Sequence, residues 1–224
     1  MVALTELEGL TLDDLMNLHE PERVLSALKT LIAKHPESTS LHQFLSRINF
    51  LRGNTMVAAE GFRLVTAIDG QNAMAFYELG ICEFYKANFE AAKVAFERVI
   101  ALEPNMKMAH YWLGKCHKFE FEHGKVIAIY SELLRESPEW SIVACELGLS
   151  YEEIGDTENA IKCFEHVLKL TKRNAVAYYH LGKMYQKNGN LIKAIETYRA
   201  GLKLYPKSEL LTQCLDYVTS IDMP

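Results

Sequence analysis

The chain has 224 residues, of which 49% are hydrophobic, enough to bury a substantial core, and a formal net charge of −5. Those values exclude the basic footprint of a nucleic-acid-binding protein, and no apolar run approaches the ~18 residues that a membrane-spanning helix needs. The five cysteines are odd in number and form no CxxC pair, so they read as free thiols in a reducing compartment, and the expected location is cytoplasmic.

The chain begins MVALTELEGLTLDD, acidic and without a basic region ahead of an apolar core, so no signal peptide is expected. Residues 11–38 show a short helical pattern near TLDDLMNL. A second pattern follows, in which Val24, Leu28 and Leu31 precede Pro36. Residues 1–38 are read as a degenerate N-terminal repeat or cap.

From residue 39 the pattern becomes periodic. Leu-Gly occurs at 79–80, 113–114, 147–148 and 181–182, with Leu45-Ser46 as a near copy, and every step is the same. An aromatic comb runs Phe62, Phe96, Tyr130, Phe164, Tyr198. A small-residue comb runs Ala58, Ala92, Val126, Ala160, Ala194. Pro36, Pro104, Pro138 and Pro206 share the same phase, with Gly70 and Lys172 at the two places between them. A common period and phase mark an internal repeat. The units are 39–72, 73–106, 107–140, 141–174 and 175–208.

Each unit reads as two helices. In 141–174, Ala144, Leu147, Gly148 and Tyr151 lie on one helical face. Gly155-Asp156 breaks the run, and Ala160, Ile161, Phe164, Val167 and Leu168 form the face of a second helix. Gly53-Asn54 and Gly189-Asn190 are equivalent breaks; Ala87-Asn88 and Phe121-Glu122 are weaker ones. Proline stops the second helix because it lacks an N–H and biases its predecessor away from helix. Beyond 208, Leu210, Leu211, Cys214, Leu215 and Val218 fall on one face, as in the capping helix that terminal repeats need. A mid-helix glycine costs about 1 kcal/mol against alanine. Its recurrence predicts a close crossing of the two helices, with the alanine comb opposite and the aromatic comb filling space toward the next unit.

These residues resemble the tetratricopeptide-repeat (TPR) family, whose pattern of aromatic, Leu-Gly, Tyr, Gly, Ala, aromatic and Pro recurs with this same period. The resemblance covers 39–208; 141–174 and 175–208 match best, and 39–72 is degenerate, with Ser46 for glycine and Gly70 for proline. It implies an all-α fold, a right-handed superhelical solenoid of helix-turn-helix repeats.

The fifth residue of each unit is left over by the packing combs: Gln43, Tyr77, Tyr111, Cys145, Tyr179. The ninth is Arg47, Ile81, Lys115, Leu149, Lys183, and the twelfth and thirteenth add Phe84, Tyr85 and Phe119 among others. The resemblance implies that these positions line a concave groove for an extended peptide or a partner helix. The groove would then be an aromatic floor with basic residues interleaved, suited to a ligand of apolar and acidic character. The plainer alternative stays open: tyrosines that fill gaps between helices and lysines that form a solvated face. The family's carboxylate clamp, which needs Lys and Asn at set positions, is not matched; 73–106 offers Tyr77 and Ile81, and its neighbour Trp112.

No GxxxxGK[ST], GxSxG or HExxH motif occurs, so neither catalysis nor a cofactor is expected. His110, Cys116, His117 and His123 are the densest ligand-type cluster. Residues seven apart on a helix stand about 10 Å apart along its axis, too far for His110 and His117 to share an ion, and no metal site is expected. The chain reads as a non-catalytic protein-interaction scaffold or adaptor. The alternative is a structural subunit that associates through its ends or convex face, with homo-oligomerisation left open. Nucleic acid and membrane insertion are not expected.

Overall fold

The computed structural model describes residues 21–221. Among them are twelve helices and no strand. The short first-helix pattern near TLDDLMNL lies outside the described residues.

The helices are α1 (Pro21–Lys34), α2 (Thr39–Leu51), α3 (Thr55–Ile68), α4 (Ala73–Tyr85), α5 (Phe89–Leu102), α6 (Lys107–Phe119), α7 (His123–Glu136), α8 (Ser141–Glu153), α9 (Thr157–Leu170), α10 (Ala175–Lys187), α11 (Leu191–Leu204) and α12 (Glu209–Ile221). Each even-numbered helix starts one full repeat period after the previous even one, and the odd-numbered helices keep the same step from Pro21 onward. The chain divides into two compact units, residues 1–116 and 117–224, with the division inside α6.

The turn inside each hairpin has one geometry. Gly53, Ala87, Phe121, Gly155 and Gly189 all have positive φ, between 58° and 80°. The following N–H reaches back across the turn, as from Asn54 to Asn49 O and from Asn190 to Tyr185 O, both at 2.8 Å. This is the left-handed closure that ends many helices and favours glycine. Ala87 and Phe121 adopt it without glycine's freedom. Asn72, Asp156, Asn174 and Asn190 cap the next helix, each side chain accepting from an N–H three residues on.

The glycine comb has a different partner from the expected alanine. A Cβ at Gly80 would lie 2.7 Å from the Phe96 ring, at Gly148 2.9 Å from Phe164, and at Gly182 2.3 Å from Tyr198. The aromatic of the second helix thus seats on the glycine of its own hairpin. Its flat face is then offered onward: Phe96 stacks on Trp112 and Phe164 on His180. The alanines are fully buried beside this contact. In 39–72 the arrangement is reversed. Ser46 takes the glycine's place and Gly61, across from it, supplies the room; a Cβ on Gly61 would meet Ser46 Oγ at 2.0 Å.

At the C-terminal end Leu211 and Val218 of α12 are buried against α10 and α11, while Leu210, expected on the same face, is 49% exposed. At the other end Val24, Leu28 and Leu31 of α1 pack on Leu41, Phe44 and Ile48 of α2.

Candidate functional site

In the first unit the even-numbered helices build a cavity of about 490 Å³. Its walls are apolar: Phe44 and Ile48 of α2, Phe62 of α3, and Ile81 of α4, with Trp112 of α6 closing one side. The Trp112 indole Nε1 donates to Tyr77 Oη at 3.1 Å. Burial raises the Tyr77 phenol above its ordinary value, and the Trp112 hydrogen bond only partly offsets this. At the rim Glu78 accepts from Gln43 Nε2 at 2.6 Å and pairs with Arg47. Tyr85 is 64% exposed and approaches Phe50 with ring centroids 5.8 Å apart.

Arg47, Tyr77, Ile81 and Tyr85, all expected in the groove, meet at this cavity. Gln43 joins them through Glu78. Phe84 instead packs into a cluster with Trp112 and Phe89. Tyr111 departs from the expectation of an exposed floor, because it is buried edge-on against Trp112. Lys115 is half-buried on α6, and Phe119, at its C-terminal end, is half-exposed.

In the second unit Leu149 lines a shallower cleft of about 310 Å³ with Ile142, Cys145 and Val176. Tyr179 packs edge-on against His180, with centroids 4.8 Å apart. Lys183 Nζ donates to Glu152 Oε1 at 2.7 Å, and His180 Nδ1 lies 2.6 Å from Glu152 Oε2. Burial alone would raise the Glu152 carboxyl; the hydrogen bonds from His180 and Lys183 outweigh it and hold the group below its ordinary value. Lys118 pairs with Glu146 in the same way.

The basic interleaving expected from the sequence is therefore changed in character. Arg47 and Lys183 are tied to carboxylates of the neighbouring even-numbered helix. They join hairpins together and present little unpaired charge.

Two sets of residues escaped the sequence reading. The sixth residues of the units, Glu78, Trp112, Glu146 and His180, carry the contacts between successive even-numbered helices. The second residues, Met74, Met108, Ile142 and Val176, are 41–50% exposed, and Leu210 extends the series. A comb of large apolar residues at the standard period, unused by the hairpin packing, was the signal that could have found the second set.

The chemistry available is that of binding. Burial pushes the Cys82 thiol up to about 12 and Cys163 to about 11, and it raises Cys145 and Cys214 as well. A thiolate is the nucleophilic form, so these are inert near neutrality. All five cysteines are free thiols. Of the histidines in the cluster from which no metal site was expected, His110 Nε2 sits 2.9 Å from Pro104 O and His117 Nδ1 2.5 Å from Glu122 Oε2. The compact ligand-type group among the described residues is His117, Glu120 and Glu122. Lys125 Nζ already lies 2.8 Å from a Glu122 oxygen there. Among the described residues no helix is long and apolar enough to cross a membrane.

Comparison with known proteins follows the repeat. Residues 175–208 and 77–117 each match a family model described as tetratricopeptide repeat, and 148–189 one described as TPR repeat. No curated protein matches the sequence. Among solved structures, YrrB, described as a TPR protein with an unusual peptide-binding site, is 17% identical with a TM-score of 0.74, covering 86% of this chain and 99% of its own. MamA from Desulfovibrio magneticus RS-1 is 19% identical with a TM-score of 0.71, covering 76% and 97%. PilW, described as a type IV pilus biogenesis factor, is 18% identical with a TM-score of 0.71, covering 91% and 94%. At such identities the likeness concerns the fold, an all-α TPR solenoid.

Proposed function

We propose, from the premise that this chain belongs to the tetratricopeptide-repeat family, that it is a non-catalytic scaffold or adaptor which holds a segment of another protein against its even-numbered helices. The observation that carries this reading is the apolar cavity of about 490 Å³ walled by Ile48, Ile81 and Trp112. A rigid aromatic held by its own hydrogen bond at the wall of a desolvated pocket is the usual anchor of a binding hot spot. The peptide-binding site in YrrB's description supports the same use of the fold. The ligand is an extended peptide or a helix with apolar anchors. Because Arg47 and Lys183 are already paired, acidic residues of the ligand add less than the apolar ones.

The chain needs no cofactor for this role. Its free thiols suit a reducing, cytoplasmic setting, and neither nucleic acid nor a bilayer is required as a partner.

A displayed library of random peptides tests the reading. Selection on the intact protein should enrich peptides with apolar anchors, and Ile81→Asp should abolish their binding while the exposed Leu210→Asp leaves it unchanged. If binding survives Ile81→Asp and is lost in Leu210→Asp, association runs through the C-terminal end, and the chain is a structural subunit instead.

A further inference from the structure

The whole net charge of the protein resides in the segment 1–20. It carries Glu6, Glu8, Asp13, Asp14 and Glu20 with no Lys or Arg, five of the 29 acidic residues; the other 24 balance the 24 Lys and Arg. Interleaved with these acids are Leu4, Leu7, Leu10, Leu12, Leu15 and Leu18. Apolar anchors are the ligand chemistry expected of the groove.

The described chain starts at Pro21, the first residue of α1. Only four residues join α1 to α2, so the two helices are antiparallel, and Val24 near the start of α1 shares a cluster with Ile48 near the end of α2. The segment before Pro21 is therefore tethered beside the C-terminal turn of α2. That turn carries Phe50 and Leu51, both lining the cavity. Extended chain covers about 3.3 Å per residue, so Leu7 and Leu10 reach the cavity with slack to spare.

We propose that residues 1–20 of this chain are an intramolecular ligand for the α2–α4 cavity, with leucines in the pocket, so that an outside partner must displace them. This rests on the groove reading above and adds a self-occupied state. A tether this short sets a millimolar effective concentration, and tethering raises apparent affinity by about 10²–10⁴ over the free segment. A competing partner would be weakened accordingly.

The test uses the full-length protein with Leu7→Asp and Leu10→Asp together, and a synthetic peptide of residues 1–20. The two tryptophan indole N–H signals are read by NMR, with Trp140, which does not line the cavity, as the internal reference. Substitution should shift the Trp112 signal and leave Trp140 in place; adding the peptide to the substituted protein should return Trp112 toward its wild-type position. The labelled peptide should bind the substituted protein at least roughly a hundredfold more tightly than wild type, the low end for a tethered competitor. It should fail to bind once Ile81→Asp is added. An unmoved Trp112 signal, or equal peptide binding to both proteins, overturns the proposal. So does a wild-type Trp112 signal that changes on dilution, which would place the segment in a second copy. If library-selected peptides bind at Ile81 equally in both proteins, the groove reading stands and this inference alone falls.

Discussion

Trp112 of α6 donates its indole N–H to the phenol oxygen of Tyr77 on α4, 3.1 Å away, and so fixes an aromatic wall of the cavity across two hairpins. Tyr77→Phe should leave that donor without its acceptor and cost about 1 kcal/mol, the usual net worth of such a bond. A double-mutant cycle with Trp112→Phe, read by urea unfolding, should return a coupling of about 1 kcal/mol. Strict additivity would show that the two rings are only neighbours.

The ring seated on Gly182 makes a sharper case. A methyl there would stand 2.3 Å from Tyr198, so the ring must move. Gly182→Ala and Gly148→Leu should each cost about 1–3 kcal/mol, as overpacked sites do. Gly124, in α7, has nothing within 4 Å of an added Cβ. Gly124→Ala should be neutral or stabilise by up to about 1 kcal/mol through helix propensity. Thermal melts of the three variants distinguish steric crowding from a general intolerance of glycine loss.

Ala87 and Phe121 hold a positive φ that three equivalent positions give to glycine. A side chain in that region costs about 1–2 kcal/mol, partly offset by glycine's greater freedom in the unfolded chain. Ala87→Gly and Phe121→Gly should therefore raise stability by roughly 0.5–1 kcal/mol. Gly155→Ala, the reverse change, should lower it. Chemical denaturation that shows Ala87→Gly as destabilising would contradict the strain argument.

Glu152 predicts a pH dependence. Its carboxyl is held below the unfolded value of 4.5 by His180 and Lys183 despite its burial. A depressed acid contributes stability that is complete above its unfolded value and is lost as pH falls through the folded one. Glu152→Gln should thus be less stable than wild type at neutral pH, and the gap should narrow as pH drops below about 4.5. Urea titrations across that range provide the check; a gap independent of pH would mean that the bonds to His180 and Lys183 add nothing.

Periodicity alone determined the helices. Leu-Gly, the alanines, the aromatics and the prolines repeat with one period because each hairpin solves one packing problem, and the helix starts at Thr39, Ala73, Lys107, Ser141 and Ala175 keep that step. The weak breaks at Ala87 and Phe121 were legible for the same reason: the turn geometry is common to all hairpins, whatever residue occupies it. Periodicity could not say which combs touch. That glycine receives the aromatic ring, and that Gly61 makes room for Ser46, depends on the angle at which two helices cross. The site was legible only in part. Tyr77, Ile81 and Tyr85 were found by counting positions, but Tyr111 at an equivalent count is buried, and Trp112 beside it forms the wall. Whether Arg47 and Lys183 face a ligand or a neighbouring carboxylate likewise turns on residues 31 positions away in the chain, Glu78 and Glu152, brought within bonding distance only when hairpins stack. A sequence period specifies what each hairpin is made of, whereas charge pairing and pocket walls arise between hairpins, where only tertiary packing chooses the partner.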